Sequence, residues 1–84
     1  MGLQQVILIY DIADDRLRNK IADVCQDYGL DRVQFSAFQG QLSRSHQQEL
    51  IAKIRKILRE AVGKVQLVPV GDHEWGQRLE ISHE

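Results

Sequence analysis

Asp11 directly follows a run of β-forming residues, Val6-Ile7-Leu8-Ile9-Tyr10. A carboxylate that ends a buried strand carries a desolvation cost unless something compensates it. Magnesium is one such partner: it takes one or two carboxylates and keeps several waters, leaving ligand positions for a phosphate. The plainer alternative is a turn aspartate bonded to backbone amides, and position alone favours it. Arg16, Arg18, Lys20 and Arg32 are candidate phosphate contacts. Arginine meets phosphate with a bidentate fork and can stabilise charge on a transferring phosphoryl group. A solvated helix face is the bland reading of the same charges.

Other residues carry weaker signals. Asp14 and Asp15 precede an amphipathic segment, where a carboxylate caps a helix and complements its dipole. Phe38 has two readings, a stacking platform for a base or a core residue, and Tyr10 shares the ambiguity. Ser36 has no His or Lys placed as a base, which argues against a nucleophilic serine. His46, His73 and His83 share no ligand spacing and receive no chemistry. Trp75 reads as a dimer or subunit contact. Cys25 falls on a helical apolar stripe and is expected to be buried and inert.

The chain has 84 residues, a formal net charge of −1 and 43% apolar residues. That length predicts one domain, residues 1–84. Small domains hide a limited share of their unfolded surface, and oligomerisation is a common remedy. A near-neutral charge excludes a surface that is basic all round, so nucleic acid would have to meet a local cluster. A single cysteine forms no internal disulfide, and no Cys/His spacing suits zinc. With no charged leader and no apolar run long enough to span a bilayer, the expectation is a cytoplasmic protein without membrane contact.

These residues need elements to hold them. Val6–Tyr10, apolar without alternation, predicts a central strand covered on both faces. Leu17, Ile21, Val24, Cys25 and Tyr28 recur at helical spacing, and Gly29 supplies a left-handed stop. Residues 31–42 read as extended. Val33, Phe35 and Ala37 keep one phase and Phe38, Gly40 and Leu42 the other, so a bulge or two strands meet near Ser36. Leu50, Ile51, Ile54, Ile57, Leu58 and Val62 mark a second helix ended by Gly63, capped through a Ser45-x-x-Gln48 box or by Ser43. Residues 65–70 form a strand whose Pro69 belongs on an edge. Gly71-Asp72-His73 reads as a turn, and Leu79 and Ile81 alternate with polar neighbours as a short edge strand. The order predicts an α+β fold: a ferredoxin-like βαββαβ sandwich with an extra C-terminal edge strand, its open sheet face covered by a second protomer.

Two stretches resemble one family. Ile9-Tyr10-Asp11-Ile12 with Asp14-Asp15-x-Leu17-Arg18-Asn19-Lys20 is similar to the opening of CRISPR-associated protein 2, and Tyr28 to Gly40 (YGLDRVQFSAFQG) resembles its central signature. The resemblance implies a homodimer whose C-terminal strand packs on the partner's sheet. It implies a magnesium-dependent endonuclease acting on RNA or duplex DNA, and a partner of the CRISPR integrase in spacer acquisition. Asp11 and its mate would share one Mg2+ as metal ligand and catalytic residue. Arg18 and Arg32 match basic family positions and would join it in catalysis. Arg16, Arg18, Lys20, Arg32 and Phe38 would contact nucleic acid. The chain departs from the pattern at Gly71-Asp72-His73-Glu74-Trp75, where many relatives have Cys-x-x-Cys, which argues against redox or metal chemistry there. It departs again at Ala37 and Gln39, where many have Val and Glu. The alternative role is a non-catalytic adaptor bridging integrase subunits and DNA.

Overall fold

The computed structural model describes residues 2–83. Strand β1 (Gln4–Ile12) leads to helix α1 (Asp15–Asp27), strands β2 (Asp31–Gln34) and β3 (Ala37–Leu42), helix α2 (Arg44–Leu58), strand β4 (Gly63–Val70) and a short helix α3 (Asp72–Gly76). The strands form one sheet in the order β2-β3-β1-β4, and every neighbouring pair is antiparallel.

Strand β1 is central in the ladder but has two unlike faces. Val6, Leu8, Tyr10 and Ile12 are buried in one core with Ile21, Ala22 and Cys25 of α1 and Leu50 and Ile54 of α2. The alternate residues Ile9 and Asp11 are exposed. The expectation of cover on both faces is therefore corrected: side chains alternate along a strand, and both helices lie on one side. Ile7, Ile9 and Val68 remain on the open face beside polar Gln39, Gln66 and Lys64, with Val68 the register partner of Ile7.

Local chemistry sets the element ends. Asp14 caps α1 by accepting the Leu17 amide at 3.0 Å. The same helix ends in a Schellman motif. Gly29, at φ 82, lets its own amide reach the Gln26 carbonyl and the Leu30 amide reach that of Cys25. Strands β2 and β3 form a hairpin turning at Phe35 and Ser36, with a register shift between Arg32 and Gln34, as the phase change predicts. For α2 the cap is Ser43, which accepts the His46 amide at 3.1 Å, and not Ser45. Buried Gln47 is satisfied: its Nε2 donates to the Gln4 side chain and the Leu42 carbonyl, and its Oε1 accepts from Arg44.

Three expectations at the C-terminal side are corrected. Helix α2 stops at Leu58, so Val62 leaves its apolar stripe for solvent and Gly63 opens β4 instead of closing the helix. The turn at Gly71 continues into α3. Residues 77–83 form no strand; Leu79 is 99% and Ile81 87% exposed. Alternation gives that segment an apolar side, but a strand also needs an edge to pair with and a surface to cover. Pro69 does lie on an edge strand, opposite Val6.

Candidate nucleic-acid and metal site

Asp11 sits near the carboxyl end of β1 on the open face, opposite Lys64 of β4 in the ladder. It lines two shallow hollows, one of ≈ 120 Å³ with Ile9, Tyr10, Lys64 and Gln66, the other of ≈ 300 Å³ with Ala13, Val62, Gly63 and Lys64. The carboxylate is exposed, so the burial cost expected of it is absent. The backbone-bonded turn role finds no support either, since no hydrogen bond to its carboxylate is recorded among the described residues. Nor do the described residues include a group of three His, Cys, Asp or Glu side chains able to hold a metal ion. One chain thus offers a single free carboxylate, the lower end of the one or two that a hydrated magnesium takes.

The structure gathers Arg18 and Arg32 around an aromatic that sequence reasoning passed over. Phe35 is 66% exposed at the hairpin tip, with the Arg18 guanidinium 5.0 Å and that of Arg32 5.9 Å from its ring centre. Arg32 also lies 5.2 Å from the centre of Phe38, which stacks on Tyr10. The Tyr10 hydroxyl donates to the Phe35 carbonyl at 3.1 Å, and burial raises its pKa above 10.0 against the pull of nearby Arg32. Phe38 itself is 0% exposed. Its assignment as a base-stacking residue is corrected, because a ring enclosed on all sides has no face to offer. Exposed aromatic area in this cluster belongs to Phe35 in the hairpin turn, whereas Phe38 is held on the helix side by its register with Leu8 of β1.

Arg18 is committed within the chain. It donates to the Ile12 carbonyl at 3.0 Å and pairs with Asp15, and its side chain is 19% exposed. Arg32 is exposed and freer. Neither arginine shares a face with Asp11: Tyr10 and Phe38, on which Arg32 rests, face the helices, whereas Asp11 faces away. Arg16 and Lys20 are brought elsewhere, into a groove of ≈ 530 Å³ between the helices, lined also by Leu17, Lys56, Ile57 and Arg59.

A family model described as CRISPR associated protein Cas2 matches residues 4–78, nearly the whole chain. The chain belongs to the Cas2 family. A relative in Chloroflexus aurantiacus, named CRISPR-associated endoribonuclease Cas2 2, is 45% identical over 74 residues, covering 88% of this chain and 87% of the relative. A Cas1/Cas2 endonuclease fusion of Thermoproteus tenax is 35% identical over 65 residues, 77% of this chain but 25% of the fusion. Among solved structures, a hypothetical protein of Thermus thermophilus, TT1823, superposes with a TM-score of 0.82 at 28% identity, covering 99% of this chain and 94% of that one. Cas2 of Streptococcus pyogenes gives 0.78 at 23% identity, with 94% and 99% covered, and shares the fold.

Much of the Cas2 central signature turns out to build the fold. Gly29 closes α1 and Leu30 is buried against the sheet. Gly40 lies so close beneath it that a Cβ there would stand 2.6 Å from Leu30 Cδ2. Cys25 is enclosed, and burial pushes its thiol up to about 12. Among the described residues no helix is long and apolar enough to cross a membrane.

Proposed function

We propose that this chain is a CRISPR adaptation protein that works as a ferredoxin-like homodimer, cutting phosphodiester bonds with magnesium held between the Asp11 carboxylates of two protomers. One observation carries the reading: a free carboxylate on an open sheet face that also presents Ile9 and Val68, where a second copy packed about a twofold axis would bring its own Asp11 alongside. In such a dimer Ile9 and Val68 would be covered, and Leu79 and Ile81 would gain a surface to pack against. Magnesium, when bound, supplies Lewis-acid polarisation of a phosphate oxygen and a more acidic water. The chain's own contribution is to hold Asp11 at a fixed strand end and to present Lys64 beside it as a counter-charge for phosphate.

The test compares wild type with Asp11→Asn on labelled RNA and duplex DNA, with magnesium and with chelator. Metal-dependent cleavage by wild type, lost in a variant that still folds and dimerises, is the expected result. Cleavage equal in both proteins overturns the assignment of Asp11.

A second reading has its own support. The single carboxylate per chain is a sparse site, and the Thermoproteus relative joins Cas1 and Cas2 in one polypeptide. As an adaptor, this protein would bridge the CRISPR integrase and DNA without cutting either. Stable association with the integrase and undiminished spacer acquisition by Asp11→Asn would favour it.

A further inference from the structure

The two hollows beside Asp11, of ≈ 120 and ≈ 300 Å³, have one other residue in common, Lys64. Every remaining residue of either lining is uncharged at neutral pH, so this carboxylate and this ammonium are the only ionised groups there. They are direct register partners in the antiparallel β1–β4 pair. Residues so placed project from the same face with Cβ atoms about 4.5–5.5 Å apart. Yet they close no ion pair: among the described residues the ion pairs are Arg18 with Asp15 and Arg78 with Glu80. Both side chains are exposed, so each keeps its water while feeling the other's charge.

No neighbouring carboxylate relieves the ammonium. Asp14 accepts the Leu17 amide as the cap of α1, and Asp15 is taken by Arg18. Each protomer therefore sets one positive charge against one negative charge at this spot. Two protomers about a twofold axis carry two of each, a site of zero net charge. A dication is held more tightly as the negative charge of its ligands grows. Here that charge is cancelled in place.

We infer that Lys64 governs metal occupancy at Asp11: in the free protein its ammonium opposes a dication, and an anion that meets Lys64 lifts the opposition. The inference rests on reading Asp11 as the magnesium ligand. A dication about 6 Å from an ammonium in water loses about tenfold in affinity. A substrate phosphodiester supplies the missing negative charge. Metal and phosphodiester then raise each other's affinity by the same factor, as linkage requires, and metal loading follows substrate.

The experiment titrates Mn2+, which shares magnesium's preference for oxygen ligands, and follows the free ion by electron paramagnetic resonance at low ionic strength. It compares wild type, Lys64→Gln, Lys64→Arg, Lys56→Gln and Asp11→Asn. Each is measured with dimethyl phosphate as the phosphodiester probe and with sodium chloride of equal ionic strength. Without the probe, Lys64→Gln should bind Mn2+ about tenfold more tightly than wild type. Lys64→Arg, which keeps the charge, should match wild type. Lys56→Gln, which removes the same charge from α2 on the other side of the sheet, should match it too. Dimethyl phosphate should strengthen Mn2+ binding to wild type more than to Lys64→Gln. Equal affinities of wild type and Lys64→Gln overturn the inference. An equal gain in Lys56→Gln does so as well, by showing a diffuse effect of net charge, and so does a probe effect that is the same with and without Lys64. Binding absent from both wild type and Lys64→Gln, or undiminished in Asp11→Asn, strikes instead the reading of Asp11 as a metal ligand.

Discussion

The Arg18 guanidinium donates to the carbonyl of Ile12 at 3.0 Å, tying the end of β1 to the first turn of α1. Asp15 holds the same guanidinium from the helix side, and the Phe35 ring lies against it. Arg18 therefore fixes the strand end next to Asp11, whatever else it touches. Hydrogen bonds to a charged group are worth about 1.5–3 kcal/mol. Arg18→Ala is expected to lower stability by about 2 kcal/mol, measured as a shift in urea midpoint. Arg32→Ala, which loses cation–aromatic contacts with Phe35 and Phe38 from an exposed position, should cost about 1 kcal/mol. Equal small losses would mean that Arg18 is not a structural clasp, and that cleavage defects in its variants report on chemistry.

The buried thiol of Cys25 gives stability a distinct alkaline limb. Burial raises its pKa from 9.0 to about 12, with Arg32 pulling weakly the other way. The native state keeps a proton that the unfolded chain releases above 9, so this contribution is intact below that pH and is lost as pH rises toward 12. The slope approaches about 1.4 kcal/mol per pH unit for one proton. Tyr10 and Tyr28, both raised from 10.0, add to the effect at higher pH. Between about pH 9 and 10 the cysteine supplies the largest single share of this slope. Cys25→Ala should be less stable at neutral pH because of the cavity, yet flatter across that interval. A variant curve parallel to wild type would mean that the thiol titrates normally.

The elements that were legible in the sequence owe it to local patterning. The apolar run before Asp11, the stripe through Ile21 and Cys25 and the glycine after Tyr28 each act within a few residues, and the fold honours them. The phase change near Ser36 announced the β2–β3 hairpin for the same reason. What remained hidden depends on distant partners. Phe35 and Phe38 look alike in sequence, and only the hairpin register sends one outward and the other into the core. The face of Asp11 follows from both helices covering the same side of the sheet. Lys56 and Arg59 meet Arg16 and Lys20 only because α1 and α2 pack together, which no local pattern reveals.

The exposed tail offers the sharpest test of the proposed dimer. Leu79 and Ile81 stand almost wholly in solvent, beyond the last residue matched by the family model, and the open sheet face presents Ile9 and Val68. Burying a leucine or isoleucine side chain contributes about 1.5–3 kcal/mol before the costs of association. A twofold dimer would bury both tails at once. Leu79→Ser with Ile81→Ser should therefore raise the dimer dissociation constant at least about a hundredfold. Sedimentation velocity over a concentration series reads that shift directly. The fold of one chain should survive, since neither residue belongs to its core, and an unchanged far-ultraviolet circular dichroism spectrum would confirm it. A variant that stays dimeric at wild-type concentrations would remove the tail from the interface and leave the open face of β1 and β4 to hold the dimer alone.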